Sequence, residues 1–446
     1  MPKTVKKTRA ATKTKAKTKT KARTATQAKA TKKKVVTKAA PKKRQMPLAG
    51  IRVCDLTGHA SGPMCAMTLG DFGAEVIKVE PPRGDHARSW GSARFGKKMD
   101  LSSEYAALNR NKESVVIDLK NPEGLALVKD IIRKSDVVLE NFKPGVLERL
   151  GLGYKVIEKL NPRAVLCSIS AFGQTGPMAK LPGFDLLMQA YAGALSITGE
   201  PNRPAVRIGP STIDFMTAGH GVIGIMMALR ERDQSGRGQH VDTSLYETAI
   251  VQMTHMILDS SATGVVPGRW GPYFPFLAPY GIFEASDREF YMGASTNIMW
   301  GRLMKEIGRE DLMADKRFLN NSDRAQNQAA LYEVLLPIFK SKTSKQWVEI
   351  ATRLGIPHSL IHNLGEVVNQ EQAIARKAVV PVKGIPNGRS AGIPIKLSHT
   401  PGKIRKAPPS LGQDTNAVLK RLGYSATDIK KLRAAGVMGS GKVEAH

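Results

Sequence analysis

Residues 203–247, RPAVRIGPSTIDFMTAGHGVIGIMMALRERDQSGRGQHVDTSLYE, decide how the chain is read. Asp214 stands alone at the opening of a run, residues 215–229, that has no Asp, Glu, Lys or Arg. Large apolar side chains alternate there with Ala218, Gly219, Gly221 and Gly224. The pattern predicts a helix apolar on all sides, and such a helix belongs inside a protein. Asp214 would then sit at a buried helix start, where free N–H groups and the positive dipole end keep a carboxylate ionised. A fixed, partly desolvated carboxylate can act as a nucleophile. The same residues allow a plainer reading. Ser211-Thr212-Ile213-Asp214 fits the capping pattern in which the acid merely satisfies a backbone donor. Local sequence leaves both open.

Upstream, strands and helices alternate. Residues 51–56 (IRVCDL) predict a buried first strand, followed by the loop His59-Ala60-Ser61-Gly62-Pro63, a helix over 64–70 and a second strand over 74–79. The alternation resumes with a strand at 114–119, a helix at 122–134, a strand at 136–140, the turn Asn141-Phe142-Lys143-Pro144-Gly145, short helices at 146–150 and 154–160, and a strand at 164–169. Residues 185–197 predict one helix leading to Asp214, and another continues past Glu247 to about residue 258. This is an α/β pattern in the style of doubly wound folds. Two glycine motifs fail on context. Gly219-His220-Gly221-Val222-Ile223-Gly224 spells a dinucleotide fingerprint, but within a helical run and with no strand before it. Residues 436–442 imitate a phosphate loop, but Val443 stands where Ser or Thr is needed.

After residue 260 aromatic residues and prolines crowd together (Trp270, Pro272, Tyr273, Phe274, Pro275, Phe276), and helices follow at 299–307 and 328–341. The domain plan read from these shifts has five parts. Residues 1–45 are a disordered basic tail, and 46–259 a large α/β domain containing Asp214. Residues 260–345 are a smaller α+β domain, 346–406 a connector, and 407–446 the final helices returning to the large domain.

The tail holds eighteen Lys or Arg and no acid, so only +12 of the formal net charge of +30 belongs to the rest of the chain. Such a tail is too poor in apolar residues to fold. It either holds anionic polymers weakly or only solubilises the chain. Three cysteines without a C-x-x-C pair predict neither disulfides nor zinc and point to the cytoplasm. Nine histidines with no H-E-x-x-H grouping predict no metal site. The longest apolar run, 222–229, is too short for a bilayer, and no signal peptide is recognisable, so no membrane association is expected.

The collinear series DLTGHASGPM, DFGAEVIKVE, NRNKESVVIDLKNPEG, VLENFKPGVLERLGLGY, ISAFGQTGP, PGFD, SITGEP and SGRGQHVDTSLYE resembles the class III CoA-transferases. The resemblance runs from Met46 to the last helices and excludes the basic tail. It implies an interlocked homodimer with a Rossmann-like large domain, acyl-CoA and a small carboxylic acid as substrates, and no permanently bound cofactor. It puts the family's nucleophilic aspartate at Asp214 and a second active-site acid at Asp185. CoA contacts fall on His59, Ala60, Ile117 through Lys120, Asn141, Phe142, Lys143 and Arg149. Pro81 occupies the position of a CoA-contacting Arg in the formyl-CoA enzyme, with Arg83 nearby as a stand-in. Ala60 replaces that enzyme's active-site Gln, and GPYFPFLAPYG replaces its Gly-rich flap, so formyl/oxalate specificity does not carry over. An α-methylacyl-CoA racemase shares the fold, but its catalytic His position is Phe184 here, which cannot exchange protons. A nucleic-acid-associated protein is the rival argued from the tail. The remaining basic residues are interspersed with acids, and no zinc finger or RNP motif supports it.

Overall fold

The computed structural model describes residues 45–91 and 93–438; residues 1–44 of the basic tail and the end of the phosphate-loop imitation lie outside them. The first half of the chain lays down β1 (Arg52–Asp55), α1 (Ser61–Asp71), β2 (Glu75–Glu80), β3 (Lys112–Val116), α2 (Pro122–Arg133), β4 (Val137–Glu140) and β5 (Val165–Ser170). After α3 (Asp185–Tyr191) and α4 (Thr212–Ser235) comes β6 (His240–Ser244), then α5 (Leu245–Gln252) and α6 (Thr254–Thr263). Six strands pair in parallel in the order β3-β2-β1-β4-β5-β6. That is the doubly wound order of Rossmann folds.

Neighbouring residues on the strands point to opposite faces, and both faces are covered. Cys54, Ile77 and Val138 join one core with Leu127, Val128 and Ile131 of α2 and with Val418 and Leu419 of a C-terminal helix. Val53, Val76 and Val137 join the other with Cys65 and Leu69 of α1 and Ile213, Ala218 and Ile225 of α4. Asn121 caps α2 by accepting the Glu123 N–H at 2.9 Å, and Pro122 opens the helix where no donor is required.

A third core lies around an antiparallel sheet of β7 (Tyr280–Glu284), β8 (Glu289–Gly293) and β9 (His358–Leu360), with β8 central. Helices α7 (Asn297–Glu306), α8 (Gln328–Lys340) and α9 (Ser344–Leu354) cover it through Trp300, Phe339 and Trp347. Residue 345, read from sequence as the end of the small domain, falls inside α9, whose Trp347 and Ala351 belong to this core. Helices α10 (Thr415–Leu422) and α11 (Ala426–Ala434) then pack against the first core.

Several expectations need correction. The helix expected over 185–197 breaks at Gly193, which takes φ 96°, and a separate short helix spans Ala194–Ile197. The helix after Glu247 breaks at Met253. Strand β6 was not anticipated, because its sequence HVDTS lacks a long apolar run. The largest correction concerns α4. Within this chain its inner face is buried at Ile213, Ala218, Gly221 and Ile225, but Ile223 and Met227 are 52% and 68% exposed. The helix is also longer than its apolar run suggested. At 24 residues it is long and apolar enough to cross a bilayer, yet its inner face is built into the sheet core. The Gly219–Gly224 motif lies mid-helix. A Cβ at Gly221 would stand 3.1 Å from Cys65 Sγ, and one at Gly224 would stand 2.6 Å from Val241. Those two glycines permit close packing, not nucleotide binding.

Candidate active site

In this strand order β1 and β4 are neighbours whose following segments leave to opposite faces. Helix α1 packs on one side, and Leu147 and Ile157 after β4 pack on the other. Such a switch point opens a crevice at the carboxyl ends of the strands. Asn141 joins its two rims. Its Oδ1 accepts the Gly58 N–H at 3.0 Å, and its Nδ2 donates to the Gly58 carbonyl at 2.8 Å. His59 follows in the left-handed region at φ 67°, with its ring stacked on His86 at 5.3 Å and edge-on to Phe184 at 5.7 Å.

Two cavities open here. The larger, about 640 Å³, reaches Asp214 and is walled by Ser61, Trp90, Lys143, Leu181, Phe184 and Asp185, among others. The smaller, about 330 Å³, lies over β1–β3 and includes Pro81, Arg83, Ile117 and Lys120. His59, Asn141 and Phe142 line both.

Asp214 lies in the first turn of α4. The capping pattern read at Ser211 does not form, since Ser211 makes no side-chain cap. Asp185 takes that role from α3: its Oδ2 accepts the N–H groups of Ile213 at 2.9 Å and Asp214 at 3.1 Å. Its Oδ1 accepts from Gln189 Nε2, and Gln189 Oε1 accepts the Ile208 N–H at 2.9 Å. The Asp214 carboxylate is thereby left free of the helix cap. Ser61 Oγ donates to its Oδ1, and among the described residues Oδ2 accepts no hydrogen bond.

The sequence predicts an ionised acid at this helix start, and burial makes that acid more basic than an ordinary carboxylate. Burial pushes the Asp214 carboxyl up to about 6; the Ser61 hydrogen bond opposes the rise and the Asp185 charge adds to it. At neutral pH the carboxylate remains predominantly ionised, yet it is more basic than an ordinary one, which favours nucleophilic attack.

The neighbouring loops rest on a buried ionic network. Lys112 Nζ meets Asp55 at 2.9 Å, and Asp55 Oδ1 accepts from both the N–H and the hydroxyl of Thr57. Lys78 Nζ donates to the Thr57 carbonyl at 2.7 Å and pairs with Asp85 at 2.9 Å. Asp85 Oδ1 in turn accepts the His59 N–H at 3.2 Å. Burial alone would raise the Asp85 carboxyl, but Lys78 and backbone donors bring it down to about 2.

The structure brings Asp214, Asp185, His59, Ala60, Asn141, Phe142 and Lys143 together around the larger cavity. Ile117 and Lys120 line the smaller one, and so does Arg83, the stand-in for the missing arginine at Pro81. Arg149 lines neither; it ends the short helix Val146–Arg149 with an exposed side chain. Residues 271–281 also line neither, and Tyr273 packs on the third core. Sequence reasoning missed Ser61, Trp90 and Gln189. The only signal for Ser61 was a hydroxyl inside the quoted loop. Among the described residues no group of three or more His, Cys, Asp or Glu could hold a metal ion.

Residues 48–415 match the model of CoA-transferase family III, and the chain belongs to that family and is an enzyme of that class. It is 38% identical over 408 residues to an acyl-CoA transferase of Fusarium pseudograminearum, covering 88% of this chain and 89% of that one. It is 36% identical to the succinyl-CoA–D-citramalate CoA-transferase of Chloroflexus aurantiacus, covering 88% and 98%. Among solved structures it resembles a CAIB/BAIF family protein of Brucella suis, with a TM-score of 0.78, 33% identity and coverage of 85% and 100%.

Proposed function

We propose that this CoA-transferase moves CoA from an acyl-CoA to a small carboxylic acid through covalent intermediates on Asp214. Oδ2 attacks the thioester carbonyl carbon, the C–S bond breaks, and CoA leaves as thiolate while a mixed anhydride forms. The thiolate then attacks the aspartyl carbonyl, releasing the donor as a carboxylate and leaving an aspartyl-CoA thioester. The acceptor carboxylate attacks that thioester, again freeing thiolate and forming a new anhydride. Attack of the thiolate on the acceptor's carbonyl yields the new acyl-CoA and restores Asp214. Each step exchanges one acyl bond for another, so no oxidant or metal is required. The observation that carries this reading is Asp185 occupying the helix cap, which leaves the Asp214 carboxylate turned to the cavity.

The smaller cavity, with Lys120 and Arg83, suits the nucleotide end of CoA, and the His59–Asn141–Phe142 rim suits its pantetheine arm. A homodimer is part of this reading. It would cover the outer face of α4, where Phe215, Ile223, Met226 and Met227 are exposed, and the exposed Ile257 and Leu258 of α6. We further propose a cytoplasmic enzyme, in keeping with three free, buried cysteines, whose residues 1–45 bind polyanions weakly. The names of relatives point to short-chain donors such as succinyl-CoA and acetyl-CoA. The test is a panel of acyl-CoAs and carboxylic acids incubated with the enzyme, with CoA esters read by mass spectrometry. Transfer that vanishes in Asp214→Ala supports the proposal. Full transfer in that variant rejects it.

A further inference from the structure

The hydroxyl of Ser61 is the one side-chain donor that meets the Asp214 carboxylate among the described residues. Ser61 is 5% exposed, the first residue of α1, and sits in the wall of the larger cavity. Its position is set from behind. A Cβ at Gly62 would lie 2.4 Å from Thr57 Cβ, so only glycine lets the helix start press this close to the β1 loop. Thr57 is itself fixed, by Asp55 at its N–H (3.0 Å) and by Lys78 at its carbonyl (2.7 Å). The buried ions thus anchor the loop that presents the hydroxyl to the acid.

We propose that Ser61 is a catalytic residue for CoA transfer: its hydroxyl holds Oδ1 of Asp214 so that Oδ2 attacks, and it stays on Oδ1 as that oxygen becomes the carbonyl oxygen of the aspartyl intermediates. This rests on the covalent reading given above. When thiolate or acceptor carboxylate adds to the aspartyl carbon, the C=O electron pair moves onto Oδ1, which becomes an oxyanion. The bond to the leaving carboxylate or thiolate breaks as the carbonyl re-forms. A donor already aimed at Oδ1 stabilises that charge without reorganisation. No proton need be transferred, because the hydroxyl only donates a hydrogen bond. Ser61 also favours the charged form of the resting acid, against burial and against Asp185. The charged and titratable groups facing Asp214 are Asp185 from α3, Lys143 from the loop after β4, and His59 from the loop after β1.

The test compares Ser61→Ala and Ser61→Cys with the parent, by kcat and kcat/KM across a pH series and with Asp214→Ala assayed alongside. Ser61→Ala is expected to lower kcat about 10²-fold, the usual effect of losing one oxyanion donor, and to move the acid limb of kcat/KM to higher pH. Ser61→Cys keeps a weak donor and is expected to fall between the two; it decides the matter if the alanine variant does not fold. A merely structural role would lower activity without moving the acid limb, and that result overturns the proposal. Parent-like kcat and pH dependence in both Ser61 variants beside an inactive Asp214→Ala also overturn it, while leaving the covalent reading intact. An active Asp214→Ala removes the covalent reading itself.

Discussion

Two groups of buried acids stand at the same edge of one sheet, and they have been treated in opposite ways. Behind β1–β3, Asp55, Asp85 and Glu80 each meet a buried Lys or Arg: Lys112 at 2.9 Å, Lys78 at 2.9 Å and Arg88 at 2.7 Å. Despite burial, all three carboxyls stay below the usual carboxylate range. Beside β5 and α4, Asp185 and Asp214 have no ion-pair partner among the described residues. Asp185 is satisfied by backbone and amide N–H groups, and Asp214 is raised. The contrast separates scaffold from chemistry. An acid that is fully paired holds loops in place, whereas one left with a single hydroxyl and an open cavity keeps its basicity for a substrate.

The comparison can be broken most forcefully at its two centres. Asp214→Ala is expected to reduce transfer by at least ~10³-fold, while the thermal unfolding midpoint holds or rises because a raised, desolvated acid has been removed. Asp85→Asn is expected to do the reverse. By leaving Lys78 buried beside a neutral partner it should cost about 3–5 kcal/mol of stability, read by chemical denaturation. The sign with pH follows from the lowered carboxyl. The Asp85 contribution is complete above the ordinary carboxylate range and is lost as pH falls towards about 2. In the parent enzyme kcat/KM should fall as pH drops through about 6, because attack needs ionised Asp214. Smallest of all, Asp185→Asn keeps an acceptor for the α4 N–H groups but removes a neighbouring negative charge. The expected outcome is a stability loss of about 1 kcal/mol or less and an acid limb displaced to lower pH.

Much of this was legible in the chain itself. The strands at 51–56 and 136–140 and the helix opening at Pro122 carry strong periodicity and punctuation, and they appear within a residue or two of their expected bounds. Strand β6 was not legible, because HVDTS has little apolar signal and owes its state to pairing with β5. The site was legible as loops more than as contacts. The family resemblance pointed to the loops at Asn141 and His59, which line the larger cavity, but the capping of α4 by Asp185 joins residues 28 and 29 positions apart, and no local pattern encodes it. The exposed face of α4 escaped for a related reason. An all-apolar run says that water is excluded, not whether this chain or a second copy excludes it.

The most direct test of the central claim is to catch the covalent enzyme. The protein is mixed with acyl-CoA, quenched with borohydride during turnover, digested and mapped by mass spectrometry. Reduction of Asp214 to homoserine, dependent on acyl-CoA and absent without it, is the expected result. Robust CoA transfer with Asp214 unmodified throughout would contradict the account.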